Sequence, residues 1–306
     1  MHDPLLTTTP IAAPAVSHFI TAADGLKLHA VAYGSRGVTA LPVVCLPGLA
    51  RTAGDFHTLA IALASDAEQP RRVVAVDYRG RGRSEHDRDP ANYTVTTELA
   101  DLECALAALD IGRAVFIGTS RGGILTMLMA AARPAHIAGA VLNDIGPVIE
   151  PAGLTRIKGY VGKLPTPAGF AEGAAILRRL FAGQFPNLGE DDWLAAARLN
   201  WRAGAGGALV LNYDAQLART LGDVDPTNPA PQLWAQFDAL ADVPVMVIRG
   251  GLSDILSAAT VAEMRRRHPG LDTVEVADEG HPPRLGTAAM IARIAAFVRA
   301  CDDGTR

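Results

Sequence analysis

The sequence predicts an α/β fold in which a mostly parallel β-sheet is flanked by helices on both faces and carries an inserted helical cap. Three observations lead there. Residues 16–21 and 26–33 are strand-like runs on either side of Asp24-Gly25, a hairpin signal. Short apolar runs then alternate with helical patterns, as in strand–helix–strand units. That alternation stops near residue 147 and resumes near 243, so the stretch between is an insertion and not a terminal appendage.

The elements follow in chain order. Residues 1–15, rich in Pro, Thr and Ala, read as a loose arm. After the hairpin, strands are expected at 42–46, 73–76, 114–117, 139–142, 243–248 and 273–276. Helices are expected at about 55–66, 95–110, 121–132 and 256–267, and residues 286–301 close the chain with another. Inside the insertion, helical patterns lie near 153–162, 167–182, 190–202 and 206–220, followed by the Pro/Asn-rich segment 223–231. The expected organisation is a core of residues 1–146 and 234–306 with a helical cap of residues 147–233. In sheets of this kind, reactive groups collect beyond the carboxyl ends of the strands.

Composition narrows the function classes. With 306 residues, 49% hydrophobic and 20% charged, the chain can bury a large core. The net charge of −4 and the lack of a long basic run give no electrostatic case for nucleic acid; Arg265-Arg266-Arg267 reads as a solvated helix end. Three widely spaced cysteines, Cys45, Cys104 and Cys301, suggest neither a disulfide framework nor a metal cluster and fit a reducing compartment. Cys45 falls in an apolar strand and reads as a core residue. The first residues lack a basic stretch followed by an apolar one, and no apolar run approaches the roughly eighteen residues of a membrane span. The expectation is a soluble cytoplasmic protein without cofactor or metal, and without a nucleic-acid or membrane partner.

The most informative stretch is Gly118-Thr-Ser-Arg-Gly-Gly123, in which Gly118, Ser120 and Gly122 form a G-x-S-x-G. It lies between an apolar strand-like run and a helical run, the setting of a nucleophile elbow. Glycines flank the serine because so tight a turn leaves no room for β-carbons. A serine hydroxyl needs an adjacent general base. His281, in Asp278-Glu-Gly-His-Pro-Pro283 just past the strand at 273–276, is placed to reach a site; His268, in Arg265-Arg-Arg-His-Pro269, reads as a helix exit. The orienting acid is expected to be Asp254, which follows the strand at 243–248, just before the histidine strand. It would accept the imidazole N–H, although an N-cap of the next helix, contributing about 1 kcal/mol, is the plainer role for it. Asp144, in Leu142-Asn-Asp-Ile-Gly-Pro147, also follows a strand and competes for the role.

Acyl transfer also needs donors for the developing oxyanion. The backbone N–H groups of Arg121, next to the serine, and of Leu49, in the loop Pro47-Gly-Leu-Ala-Arg51, are the candidates. Gly48 would let that loop approach a substrate. The side chains of Arg51 and Arg121 are candidates for contacting a substrate oxygen, with surface ion pairing as the alternative. Asp77-Tyr-Arg-Gly-Arg-Gly-Arg-Ser84 has the look of a phosphate loop but lacks the Gly-Lys-Ser/Thr of a P-loop and the frame of a dinucleotide site, so it reads as a structural turn. Among Tyr160, Trp193, Trp201 and Tyr213 in the insertion, Trp201 and Tyr213 are taken as substrate-binding candidates, with plain packing as the alternative.

Together, Leu46-Pro-Gly-Leu49, Asp77-Tyr-Arg-Gly-Arg-Gly-Arg-Ser84, Gly118-Thr-Ser-Arg-Gly-Gly123, residues 249–254 and Gly280-His281-Pro282 resemble the α/β-hydrolase superfamily over nearly the whole chain. The resemblance implies an eight-stranded sheet with a helical cap inserted after the sixth strand. It implies Ser120 as nucleophile, Asp254 as acid, His281 as base, and the Leu49 and Arg121 N–H groups as oxyanion hole. The chain looks most like bacterial carboxylesterases, enol-lactonases and C–C bond hydrolases of aromatic breakdown. It departs from many relatives in having Leu46-Pro-Gly where they have His-Gly, and Arg121 where they have Met or Gln. Dehalogenase and epoxide-hydrolase relatives use an aspartate nucleophile, which Ser120 argues against.

The expected function is a serine hydrolase cleaving a small-molecule ester or lactone through an acyl-enzyme. A C–C bond hydrolase or a cofactor-free perhydrolase would use the same triad. A non-catalytic small-molecule receptor of hydrolase fold is the rival from another class. A homodimer is left open.

Overall fold

The computed structural model describes residues 15–222, 225 and 230–303; most of the expected N-terminal arm and of the Pro/Asn-rich segment 223–231 lies outside these. Strands β1 (Ala15–Thr21) and β2 (Lys27–Tyr33) form the expected hairpin, with Gly25 at φ +90° in its turn. The core continues through β3 (Val43–Leu46), α1 (His57–Ala64), β4 (Val73–Asp77), α2 (Val95–Ala108), β5 (Ala114–Thr119), α3 (Arg121–Ala132) and β6 (Ile137–Asn143). One eight-stranded sheet results. Its order is β1-β2-β4-β3-β5-β6, extended by two later strands, β9 (Val245–Gly250) and β10 (Asp272–Val276). β2 pairs antiparallel with β1 and β4, and every other neighbouring pair is parallel.

Alternation along the strands sorts the core into two layers. Val44, Leu46 and Phe116 join Leu102 and Leu106 of α2 and Leu125 and Met129 of α3 on one face. Val43, Cys45, Val115 and Ile117 join Leu59 and Leu63 of α1 and, from α9 (Ala288–Asp303), Ile294 and Val298 on the other. The first face is completed by α7 (Trp234–Asp238), through Phe237, and α8 (Ala258–Arg267), through Met264. Each such fully buried side chain contributes about 1.5–3 kcal/mol by leaving water.

Between β6 and β9 run α4 (Pro151–Tyr160), α5 (Phe170–Phe181), α6 (Glu190–Asn200), a two-stranded hairpin of β7 (Trp201–Ala203) and β8 (Leu209–Leu211), and a 3₁₀ turn at Ala215–Leu221. The helix expected at 206–220 is therefore replaced by a strand and a 3₁₀ turn. Its start fails because Gly206 and Gly207 adopt φ +76° and +84°, which a helix forbids and a tight turn uses. This stretch meets the core at three loops beyond the strands' carboxyl ends. Asn212 and Asp214 bond the backbone of Gly82 and Gly80, Gly153 donates to the Asp254 carbonyl, and Gln184 accepts the Gly280 N–H at 2.7 Å.

The turn after β4 has a buried polar centre. Arg79 donates through two nitrogens to both oxygens of Asp101 on α2, at 2.7 and 2.6 Å, and also reaches Asp24 and Asp87. Asp77 accepts from the Ala53 and Arg83 N–H groups and pairs with His29. The 77–84 run is the structural turn its sequence suggested. Removing one partner of a buried pair strands the other charge. Asp101→Ala is thus expected to destabilise the fold by about 3 kcal/mol in urea unfolding. Asp24→Ala, whose carboxylate is 47% exposed, should cost under about 1 kcal/mol.

Candidate active site

β5 ends at Thr119 and α3 begins at Arg121, so Ser120 stands alone in the turn. Its backbone lies at φ 51°, ψ −112°, a conformation that costs a non-glycine residue of order 1–3 kcal/mol. The surroundings enforce it. A β-carbon on Gly122 would collide with the Leu46 carbonyl oxygen at the end of β3, one on Gly118 with the backbone of Gly122 and Gly123, and one on Gly123 with the Ile145 side chain. The Ser120 N–H donates to the Asn143 carbonyl at 3.0 Å, tying the turn to β6.

His281 comes to this serine on the loop after β10. The loop is held by Gln184, whose carbonyl accepts the Gly280 N–H and whose side chain accepts the His281 N–H, and by Asn143, which donates to the Pro283 carbonyl at 3.0 Å. His281 Nε2 lies 2.9 Å from Ser120 Oγ, and its Nδ1 lies 2.8 Å from an oxygen of Asp144. Asp144 is fully buried one residue past β6, at φ +53°. Its other contacts are donors, the Gly250 N–H at 2.8 Å and the Ser253 hydroxyl at 2.5 Å. A carboxylate surrounded by donors accepts the Nδ1–H, which leaves Nε2 as acceptor for the serine hydroxyl.

Asp254, the acid expected from the sequence, does not meet the histidine ring. Arg156 of α4 grips it through two nitrogens, at 2.6 and 2.8 Å. Burial pushes the Asp254 carboxyl up, but Arg156 more than offsets this and holds it below its ordinary value. Sheet order explains the difference. β6 lies between β5 and β9, so the residue leaving β6 is adjacent to the serine turn. The turn after β9 then directs Gly250 N–H and Ser253 toward Asp144 and carries Asp254 outward to the insertion. The sequence contains the signal in Asn143-Asp144 at a strand end, but proximity along the chain favours Asp254, whose carboxylate the structure pairs with Arg156 instead of the imidazole.

The other expected residues divide. Arg121 N–H opens α3 and has no acceptor within the helix. The Gly48 carbonyl accepts the Arg51 N–H at 3.2 Å, so the planar trans peptide turns the Leu49 N–H the opposite way. This loop borders the serine, since a β-carbon on Gly48 would stand 3.9 Å from Ser120 Cβ. Arg51 pairs with the two oxygens of Asp55, each at 2.7 Å, and Arg121 Nε donates to buried Glu98 at 2.7 Å, while Arg121 Nη2 is buried without a hydrogen-bond partner. Trp201 is 1% exposed and packs with Trp193, Ile176 and Leu177 in the insertion's own core. Tyr213 is buried, its hydroxyl accepting the Gly162 N–H at 3.1 Å. Neither aromatic presents a free face to a ligand in this arrangement. Glu98, Ser253 and Gln184 were not singled out from the sequence; they are polar residues whose role depends on tertiary neighbours.

Comparison with known proteins assigns the fold family. Residues 42–283 match the family model described as alpha/beta hydrolase fold. The chain belongs to the alpha/beta hydrolase family. It is 37% identical over 282 residues to a 3-hydroxybutyrate-oligomer hydrolase of Cupriavidus necator, covering 90% of this chain and 94% of that one. An esterase of Mycobacterium tuberculosis is 28% identical over 249 residues, covering 80% and 78%. A solved alpha/beta hydrolase from Novosphingobium aromaticivorans superposes with a TM-score of 0.87 at 41% identity, covering 94% of this chain and 99% of that one. No helix among the described residues of this hydrolase is long and apolar enough to cross a membrane.

The Arg156–Asp254 pair predicts a pH effect. A carboxyl held below its unfolded value of 3.8 contributes stability that is complete above that pH and is lost as pH falls through the lower folded value. Water reaches the pair, so the contribution is at most about 1 kcal/mol. Asp254→Asn should therefore be slightly less stable than the wild type at neutral pH. The two thermal unfolding curves should converge as pH drops well below 3.8.

Proposed function

We propose that this alpha/beta hydrolase cleaves a small ester or lactone through an acyl-enzyme, with Ser120 as nucleophile, His281 as general base and acid, and Asp144 as the orienting carboxylate. One observation carries the reading: the continuous hydrogen-bond chain from Asp144 through His281 to Ser120 at the strained turn. Ser120 Oγ attacks the carbonyl carbon as His281 Nε2 takes its proton. Asp144 accepts the Nδ1–H and stabilises the imidazolium. The tetrahedral oxyanion lies against the Arg121 and Leu49 N–H groups, where the start of α3 adds its positive dipole end. As the acyl–oxygen bond breaks, His281 returns the proton to the leaving alkoxide. Water then repeats the sequence on the acyl-enzyme, releasing the acid and restoring Ser120.

The insertion, residues 147–233, acts as a cap over this site, excluding water and limiting acyl length. Its contacts with the loops at 80–82, 254 and 280 support that placement. Short-chain oligoesters are the favoured substrates. The relative named for 3-hydroxybutyrate oligomers supports this, since linked hydroxy-acid units meet at ester bonds.

A fluorophosphonate probe should label Ser120, and p-nitrophenyl acetate should be turned over. Ser120→Ala is expected to abolish labelling and lower turnover by roughly 10³-fold or more with the fold intact. Asp144→Asn should lower kcat toward the roughly 10⁴-fold seen when a triad aspartate is replaced. Asp254→Asn should cost at most about tenfold, since its carboxylate does not orient the imidazole. The reverse ranking of the two aspartates would sink the assignment of Asp144.

A further inference from the structure

The 77–84 turn and the residue after the serine meet at one buried carboxylate. Glu98, in the first turn of α2, has no exposed surface. One of its oxygens lies 2.7 Å from a terminal nitrogen of Arg81, and the other lies 2.7 Å from Arg121 Nε. Arg81 is also fully buried, between the rings of Tyr78 and Tyr93. Its Nε donates to the Leu49 carbonyl at 2.8 Å, and another nitrogen donates to the Arg79 carbonyl at 2.6 Å. Tyr78 adds a hydroxyl donated to the Pro47 carbonyl at 3.3 Å. One carboxylate is therefore linked on one side to the peptide flanking Leu49 N–H, and on the other to the residue that bears the Arg121 N–H.

We infer that Glu98 is a positioning residue: through Arg81 and Arg121 it sets the spacing between the two N–H groups that receive the oxyanion. This role rests on the hydrolase reading, which assigns those two backbone donors to the oxyanion. The Leu49 N–H belongs to a loop after β3, and the Arg121 N–H belongs to the start of α3. β3 and β5 pair at Leu46 and Gly118, which brings the two segments together, but each donor lies three residues past its strand pairing. The Arg81–Glu98–Arg121 bridge spans that gap with a 2.7 Å ion pair on the Arg81 side and a 2.7 Å charge-assisted hydrogen bond on the Arg121 side. Donor placement within a few tenths of an ångström matters because an oxyanion hole acts by being formed before charge develops. Burial pushes the Glu98 carboxyl up, but the two arginines hold it below its ordinary value, so it stays ionised and keeps both links. Arg121 thus serves through its backbone toward substrate and through its side-chain Nε toward Glu98.

The test compares wild type, Glu98→Gln and Arg121→Met on p-nitrophenyl acetate, with active sites titrated by a fluorophosphonate. Glu98→Gln keeps the shape but removes the charge that holds both arginines. Arg121→Met cuts only the tether to the elbow and leaves Arg81 paired with Glu98, so it remains informative if the first variant folds poorly. Each should lower kcat per titrated site by about 10- to 100-fold, with KM changed less than about threefold. The inhibition constant of an alkyl boronic acid, which forms a tetrahedral adduct on the serine, should rise by the same factor as kcat falls. The double variant should be no worse than the poorer single one, because both cut the same bridge. Unchanged kcat per site in both variants, with wild type active and Ser120→Ala inactive, overturns the inference and leaves the hydrolase reading standing. A wild type that neither turns over esters nor labels at Ser120 overturns both.

Discussion

The site depends on one contact, that of the first turn of α3 against the end of β3. Gly122 lies so close to the Leu46 carbonyl that no β-carbon fits between them. This approach has three consequences. It forces Ser120 into positive φ, lifting its side chain clear of the sheet. It brings the unpaired N–H groups of α3 up to the loop that follows β3, so that donors from two elements converge. It also fixes the serine relative to β6, whose Asn143 carbonyl takes the Ser120 N–H. The turn is strained and cannot hold itself; the packing of β3, β5, β6 and α3 holds it, which is how local strain persists in folded proteins.

A second feature is the contrast between the middle of the sheet and its carboxyl end. The strands are lined by Val, Ile, Leu, Ala and Phe in both layers. Past their ends, buried polar groups accumulate: Asp77, Arg79, Arg81, Glu98, Asp101, Asn143, Asp144 and His281. Burying these groups is unfavourable unless each finds a partner. Here each carboxylate is matched by arginine, imidazole or backbone donors. Such networks add little net stability over an apolar core of equal volume, but their fixed directions hold loops to defined positions. An apolar core could not aim the Leu49 carbonyl or the His281 ring.

The sheet, the hairpin at Asp24-Gly25 and the strand–turn–helix around Ser120 were legible in the sequence, because each leaves a local pattern of apolar period and glycine position. So were the candidates Ser120 and His281, which the structure brings within 2.9 Å. What was not legible is which strands lie side by side. Chain order places Asp254 nearer the histidine strand, whereas sheet order places β6 beside the serine strand, and the imidazole follows the sheet. The hairpin at β7 and β8 was missed for a related reason: Ala and Leu around 205–211 suit a helix by propensity, while three glycines and pairing with Trp201–Ala203 decide for a strand. Glu98 left no sequence signal at all, because a glutamate on an amphipathic helix reads as solvent-facing until its two arginine partners are known.

The position of the carboxylate that meets His281 Nδ1 also bears on the insertion. An acid carried on the loop after β9 would have to serve the histidine and leave that loop little freedom to bind anything else. With Asp144 supplied by β6, the last residue of β9, Gly250, contributes its backbone N–H and the loop after it the hydroxyl of Ser253 to that carboxylate. Asp254 is then available to hold Arg156 on α4, and its own carbonyl accepts from Gly153 of the same helix. The two aspartates so make different contacts on adjacent strands: one, fully buried, accepts the His281 ring N–H, and the other, half-buried, holds Arg156 of the insertion. The separation means the Arg156–Asp254 contact can change without touching the ring hydrogen bonds of His281, while Gln184 remains the insertion's tie to the backbone of the His281 loop.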